Sequence, residues 1–173
     1  TFTADIRASL RAADPDLTVD VYALTSGPVE VGLVSAVAAT ITETDPQSFA
    51  DAAKRINASS PNIVWLQHEF GLFGGPAGDM VLELVDRIAP PLIVTMHTVL
   101  PDPDADQLRV RKRLIARACE LVVRAEHSER LLTDCYGASP EQIVFISHGV
   151  PDRPFGRSAH FKSVFGFEGR KLL

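Results

Sequence analysis

The sequence predicts an α/β fold built on a doubly wound, Rossmann-like parallel sheet, and three observations carry that expectation. Four short apolar runs, Ile63 to Gln67, Leu92 to Met96, Leu121 to Arg124 and Ile143 to Ser147, read as buried strands. Amphipathic stretches near 76 to 88, 105 to 119 and 126 to 136 lie between them and read as helices. Parallel strands require such crossovers, and strands covered on both faces are apolar throughout rather than alternating.

The remaining elements follow from local pattern. Ile6 and Leu10 stand at helical spacing within residues 3 to 13, Thr3 is a candidate N-cap, and Asp14-Pro15-Asp16 ends the helix. Thr18 to Leu24 reads as a strand and Ala38 to Thr42 as a weaker one. Pro46 to Ala58 reads as a helix with Phe49, Ala53 and Ile56 on one face. Towards the C-terminus, Phe161, Val164 and Phe165 form a short apolar helix face before Gly166 and Gly169 turn the chain.

Both ends look truncated. A doubly wound unit ordinarily opens with a strand that feeds its first helix, so a strand and its loop are expected ahead of the helix at residues 3 to 13. Residues 1–150 are expected to form an N-terminal domain, and residues 151–173 a linker and the start of a second domain. The stretch His148 to Arg157 (HGVPDRPFGR) has the Pro/Gly composition of an interdomain linker, and Lys171-Leu172-Leu173 begins an apolar run.

Composition narrows the function classes. Of 173 residues, 46% are hydrophobic and 23% charged, which excludes a disordered or coiled-coil chain. The excess of 22 acidic over 17 basic residues gives a net charge of −5 and argues against binding nucleic acid. No apolar run approaches the roughly 18 to 20 residues of a membrane span. The two cysteines, Cys119 and Cys135, lie in segments that read as helix. They suggest no disulfide framework, and with no basic-then-apolar leader a reducing cytoplasm is the expected location.

In open α/β sheets, ligands bind at the carboxyl ends of the strands, so the residues that follow each strand carry the information. His68-Glu69-Phe70 follows one strand and leads into Gly71-Leu72-Phe73-Gly74-Gly75-Pro76-Ala77-Gly78. That loop is either a tight strand-to-helix turn or a set of amides offered to an anion, and it lacks the spacing of a dinucleotide or P-loop motif. His68 and Glu69 are either a mutually satisfied pair on the sheet rim or ligand-binding groups. His97-Thr98 follows the next strand, and His97 is the leading single candidate for chemistry. After the third, Glu126 and Ser128 suit the N-terminal end of a helix. Asp102, Asp104 and Asp106 read as a solvated loop and helix start rather than a cation site. Arg109, Arg113 and Arg117 share a helix face, solvated or able to dock an anionic headgroup.

Taken together, these segments resemble a known family. Ile56-Asn57-Ala58 through Gln67-His68-Glu69-Phe70-Gly71-Leu72-Phe73-Gly74-Gly75, then Thr95-Met96-His97-Thr98-Val99-Leu100-Pro101 and Ser147-His148-Gly149-Val150-Pro151, look like the N-terminal half of bacterial retaining glycosyltransferases of family 4, which have the two-domain GT-B fold. The resemblance implies that His97 is the active-site histidine near the donor sugar. It further implies that His68, Glu69, Gly71, Gly74, Gly75 and Thr98 line the substrate cleft on the acceptor side. It implies a hexose moved from a nucleotide-sugar donor to a glycan or lipid-linked acceptor, with no obligatory metal and no other cofactor. A cytoplasmic enzyme is expected, and if it is peripheral at the inner membrane face, the contact expected is the shared face of Arg109, Arg113 and Arg117, which is otherwise a solvated face. The family's paired glutamates and basic phosphate-binding pair belong to a C-terminal half, its first glycine loop precedes the matched segments, and Ala125 stands where many relatives have serine. The fragment alone is therefore expected to be inactive. Two rival expectations are a non-catalytic Rossmann-like module for a nucleotide or sugar phosphate, and a sugar-phosphate isomerase or epimerase using His68, Glu69 and His97.

Overall fold

The computed structural model describes residues 2–27, 37–149 and 158–171. Among the described residues, six strands form two parallel sheets. Strand β1 (Val21–Thr25) pairs with β2 (Val37–Thr42), while β3 (Val64–His68), β4 (Leu92–Met96), β5 (Glu120–Val123) and β6 (Ile143–Phe145) stand side by side in that order. The chain is thus an α/β protein of Rossmann-like layout, as its apolar runs predict. The sheet is divided, however. Val64 N–H donates to the Pro91 carbonyl at 2.9 Å, which commits one edge of β3 to β4, and among the described residues no strand pairs with its other edge.

Helices connect the strands, and their ends follow local chemistry. Helix α1 (Phe2–Ala13) starts one residue earlier than its pattern suggests, so Thr3 lies inside the first turn and is not the N-cap. Helix α2 (Pro46–Ser59) is capped by Asp45, whose side chain accepts from Gln47 N–H at 2.9 Å, with Pro46 in the first turn. It buries Phe49, Ala52, Ala53 and Ile56 and stops where Ser60 turns left-handed at φ 49°.

The helix expected near 76 to 88 is broken in two: a single 3-10 turn at Pro76–Gly78 and helix α3 (Val81–Val85). Ala77 and Gly78 both have positive φ, 52° and 74°, which no α-helix tolerates. Glycine is required at 78, because a Cβ there would stand 2.6 Å from the Phe70 carbonyl oxygen.

Helix α4 (Ala105–Arg117) opens with a reciprocal capping box between Asp104 and Gln107. It ends at Arg117 because Ala118 is extended and feeds β5 directly. Cys119 therefore sits in that turn rather than on a helix, with its Sγ donating to the Leu92 carbonyl at 3.2 Å. Cys135 is on helix α5 (Glu126–Tyr136), which Gly137 closes at φ 74°, and both thiols are free and exposed. Helix α6 (Ser158–Val164) is followed by left-handed Gly166 and Gly169, in agreement with the pattern. The expected domain boundary at 150/151 falls on residues 150–157, outside the described ones.

One continuous core joins these layers. Phe49, Leu92, Val94, Met96, Leu114, Leu121, Val123 and Leu132 are all at most 1% exposed, on α2, β4, α4, β5 and α5. Each such side chain contributes about 1.5 to 3 kcal/mol by leaving water. Among the described residues, no helix is long and apolar enough to cross a membrane.

Candidate functional site

Parallel strands end together, so whatever follows β3 and β4 meets on one rim of the sheet. The pairing is in register from Val64 opposite Leu92 to His68 opposite Met96, and His97 N–H extends the ladder to the His68 carbonyl at 3.2 Å. Strand geometry then alternates the side chains. Gln67 and Glu69 turn to one side, and His68 to the other.

On the open side, two side-chain hydrogen bonds tie the strand ends together. His97 Nε2 bonds Gln67 Oε1 at 3.1 Å, and Thr98 Oγ1 donates to Glu69 Oε2 at 2.7 Å. The glutamine oxygen can only accept, so Nε2 is the donor in this bond. Glu69 Oε1 also accepts the Phe70 N–H at 3.1 Å. The expected residues Glu69, His97 and Thr98 are thus brought within one small cluster.

Arg124 and Phe2 complete it. The Arg124 guanidinium lies over the Phe2 ring, 4.6 Å from its centroid, and donates to the carbonyls of Ile146 and Ser147. Phe2 meets the His97 ring edge-on at 4.9 Å and the His148 ring at 6.4 Å. Burial, reinforced by the nearby Arg124 charge, lowers the His97 pKa below its ordinary value, with Glu69 opposing the shift. His97 thus stands between the opposing influences of the Glu69 carboxylate and the Arg124 cation, with burial and the cation disfavouring its protonated form.

His68 occupies a different environment. Its ring is 0% exposed, stacks on Phe73 at 5.5 Å and meets Phe70 edge-on at 5.3 Å, and neither nitrogen has a hydrogen-bond partner. Burial above all, and then the charges of Arg111 and His97, push its pKa down to about 3. It does not pair with Glu69, and it lies beneath the rim rather than on it.

The glycine loop is shaped by contacts with its own neighbours. Gly74 has φ 64°, and a Cβ there would collide with the Glu43 carbonyl oxygen; at Gly75, φ 69°, it would collide with the Asp79 carboxylate. A tight turn accounts for both glycines, while Gly71 is exposed with open space around it.

The acidic and basic clusters are used by the fold. Asp104 caps α4 and Asp106 pairs with Arg109, as expected of a helix start. Glu126 lies in the first turn of α5, whereas Ser128 makes no cap, the N-cap being Ala125. Arg109 also pairs with Asp79 at 2.8 Å, Arg113 with Asp86 at 2.8 Å, and Arg117 donates to the carbonyls of Ile88 and Pro90. An open groove of about 500 Å³ runs between α3 and α4 beside Asp86 and Arg113. It includes no residue from the strand ends, and its charged lining, Asp86, Arg109, Lys112 and Arg113, contains the Arg113–Asp86 pair, with Arg109 held by Asp79.

Three members of the cluster are not among the residues singled out from sequence. Gln67 was findable, because a period of two puts residues 67 and 69 on the same side of a strand. Arg124 was hidden by reading it as the last residue of β5, when it is the first residue beyond it. Phe2 reaches the site through tertiary packing alone. No family model matches the chain, and no curated protein matches it.

Proposed function

We propose that this chain is the acceptor-side domain of a glycosyltransferase that moves a hexose from a nucleotide sugar to a glycan or lipid-linked acceptor, retaining anomeric configuration. The observation that supports it is the hydrogen-bonded set Gln67, Glu69, His97 and Thr98 at the ends of β3 and β4. Such a set suits sugar hydroxyls: Glu69 accepts from them, Thr98 donates or accepts, and His97 offers its second ring nitrogen. Arg124 supplies a cation close by for a phosphate or a developing negative charge. In this reading the nucleotide is held by a second domain, and the fragment alone turns over no substrate.

Replacing His97 by Ala in the full-length protein, assayed with a panel of nucleotide sugars, should lower transfer by about a hundredfold or more. Transfer that survives the change sinks the assignment. A binding-only module is the second reading, favoured by the cationic and imidazole groups of Arg124, His97 and His148 around Phe2. It predicts sugar-phosphate binding by calorimetry with no transfer under any donor.

Contact with an anionic membrane belongs to the same proposal only as far as free charge allows. Arg109, Arg113 and Arg117 would have to leave Asp79, Asp106, Asp86 and two carbonyls. Co-sedimentation with anionic vesicles should be weak and vanish at high salt, and binding that ignores salt would argue against this contact.

A further inference from the structure

Helix α4 carries five basic side chains, and one of them points the wrong way for a surface residue. Arg111 is 0% exposed, set between buried Val110 and Leu114, whereas Lys112 and Arg113 face solvent. Among the described residues no carboxylate forms an ion pair with it, and its Nε has no hydrogen-bond partner. Burial lowers its pKa to about 10, with Tyr136 and Glu69 opposing. A buried cation without a paired anion is costly, and an apolar side chain of similar length packs the same volume at less expense of hydration. Stability alone does not explain an arginine here.

Its contacts do. The guanidinium donates to the Thr98 carbonyl, touches the Met96 sulfur and lies over the Phe70 ring, 4.6 Å from its centroid. Each of these is a site residue or the direct neighbour of one: Thr98 itself, Met96 before His97, and Phe70 after Glu69. The same loop is pinned from α5, where Tyr136 Oη donates to the Leu100 carbonyl at 2.8 Å. Resting on the transferase reading for its chemistry, we infer that Arg111 is a positioning residue that sets the spacing between the loops after β3 and β4, and thereby the Glu69–Thr98 hydrogen bond and the pose of His97. A planar group with several donors suits this task, because it can stack on one loop while it hydrogen-bonds the other.

The test separates positioning from stability. In the full-length protein, Arg111→Met should leave the thermal midpoint unchanged or raise it, since it removes an unpaired buried charge. Exchange of the Phe70 and His97 amides, which donate to the Glu69 carboxylate and the His68 carbonyl, should nevertheless quicken by about tenfold or more. In sugar transfer, kcat should fall by about tenfold or more while KM for the donor stays near its original value. Arg111→Lys, which keeps a donor for the Thr98 carbonyl but loses the plane, should fall between the two in both readouts. A lowered midpoint with activity lost in proportion would reduce Arg111 to a packing residue and overturn the inference. So would unchanged amide exchange and turnover. If the unaltered protein transfers no sugar, the transferase reading fails, and the exchange data still decide the role of Arg111.

Discussion

Strands β3 and β4 are neighbours of similar composition, yet they are buried very differently. In β4, Leu92, Val94, Thr95 and Met96 are at most 1% exposed; in β3, Val64, Trp65, Leu66 and Gln67 are all half-buried. β4 has a strand on each side, whereas β3 has one on β4's side only among the described residues. β1 and β2 repeat the lesson, with only Ile41 buried between them. Apolar character makes a strand, but flanking strands and covering helices decide how far it leaves water. The molecule therefore has a firm half, β4 and β5 with α4 and α5, and a thinner margin at β1, β2 and α1, where α1 buries no residue at all.

That contrast can be broken most directly by paired truncations. Leu121→Ala, in the middle of the firm half at 0% exposure, should cost about 3 kcal/mol in denaturant unfolding. Leu24→Ala in half-buried β1 should cost about 1 kcal/mol, and equal losses would abolish the distinction. Acid should attack the end of β3 through His68. The unfolded chain takes up this proton near pH 6.5, but the folded chain refuses it until about pH 3. Stability is therefore whole above pH 6.5 and falls by up to about 1.4 kcal/mol per unit as pH drops towards 3. His68→Leu should flatten that slope, read from unfolding midpoints across the range. Asp104→Ala removes the cap of α4 and should cost about 1 kcal/mol. Arg113→Ala, which breaks an exposed pair with Asp86, should change stability by no more than about 0.5 kcal/mol.

Much of the fold was legible because short-range chemistry dictates it. Leu92–Met96 and Glu126–Tyr136 lie where their apolar spacing puts them, and α2 starts at the proline that marks its first turn. Boundaries moved where a residue's backbone angle overrode its hydrophobicity, at Ala77, Gly78 and Ala118. The division of the sheet was not legible, since strand order depends on partners distant in sequence. At the site, the position of Glu69, His97 and Thr98 after their strands was readable, and so was the alternation that selects Gln67. The depth of His68 and Arg111 was not. Polar residues in an amphipathic pattern suggest a surface, and only the packing of Phe70, Phe73 and Tyr136 around them shows otherwise.

The alternation at the end of β3 also fixes how this region can change. Gln67 and His68 differ in surroundings by a single step of the chain: one reaches His97, and the other is sealed among aromatic rings. Loss of one codon within β3 would swap them, turning the imidazole outward and driving the glutamine amide into the core. Point substitutions can adjust this rim gradually, whereas insertions and deletions in β3 exchange its inside for its outside in one event. The length of β3 is thus as much a part of the inherited site as the residues it carries.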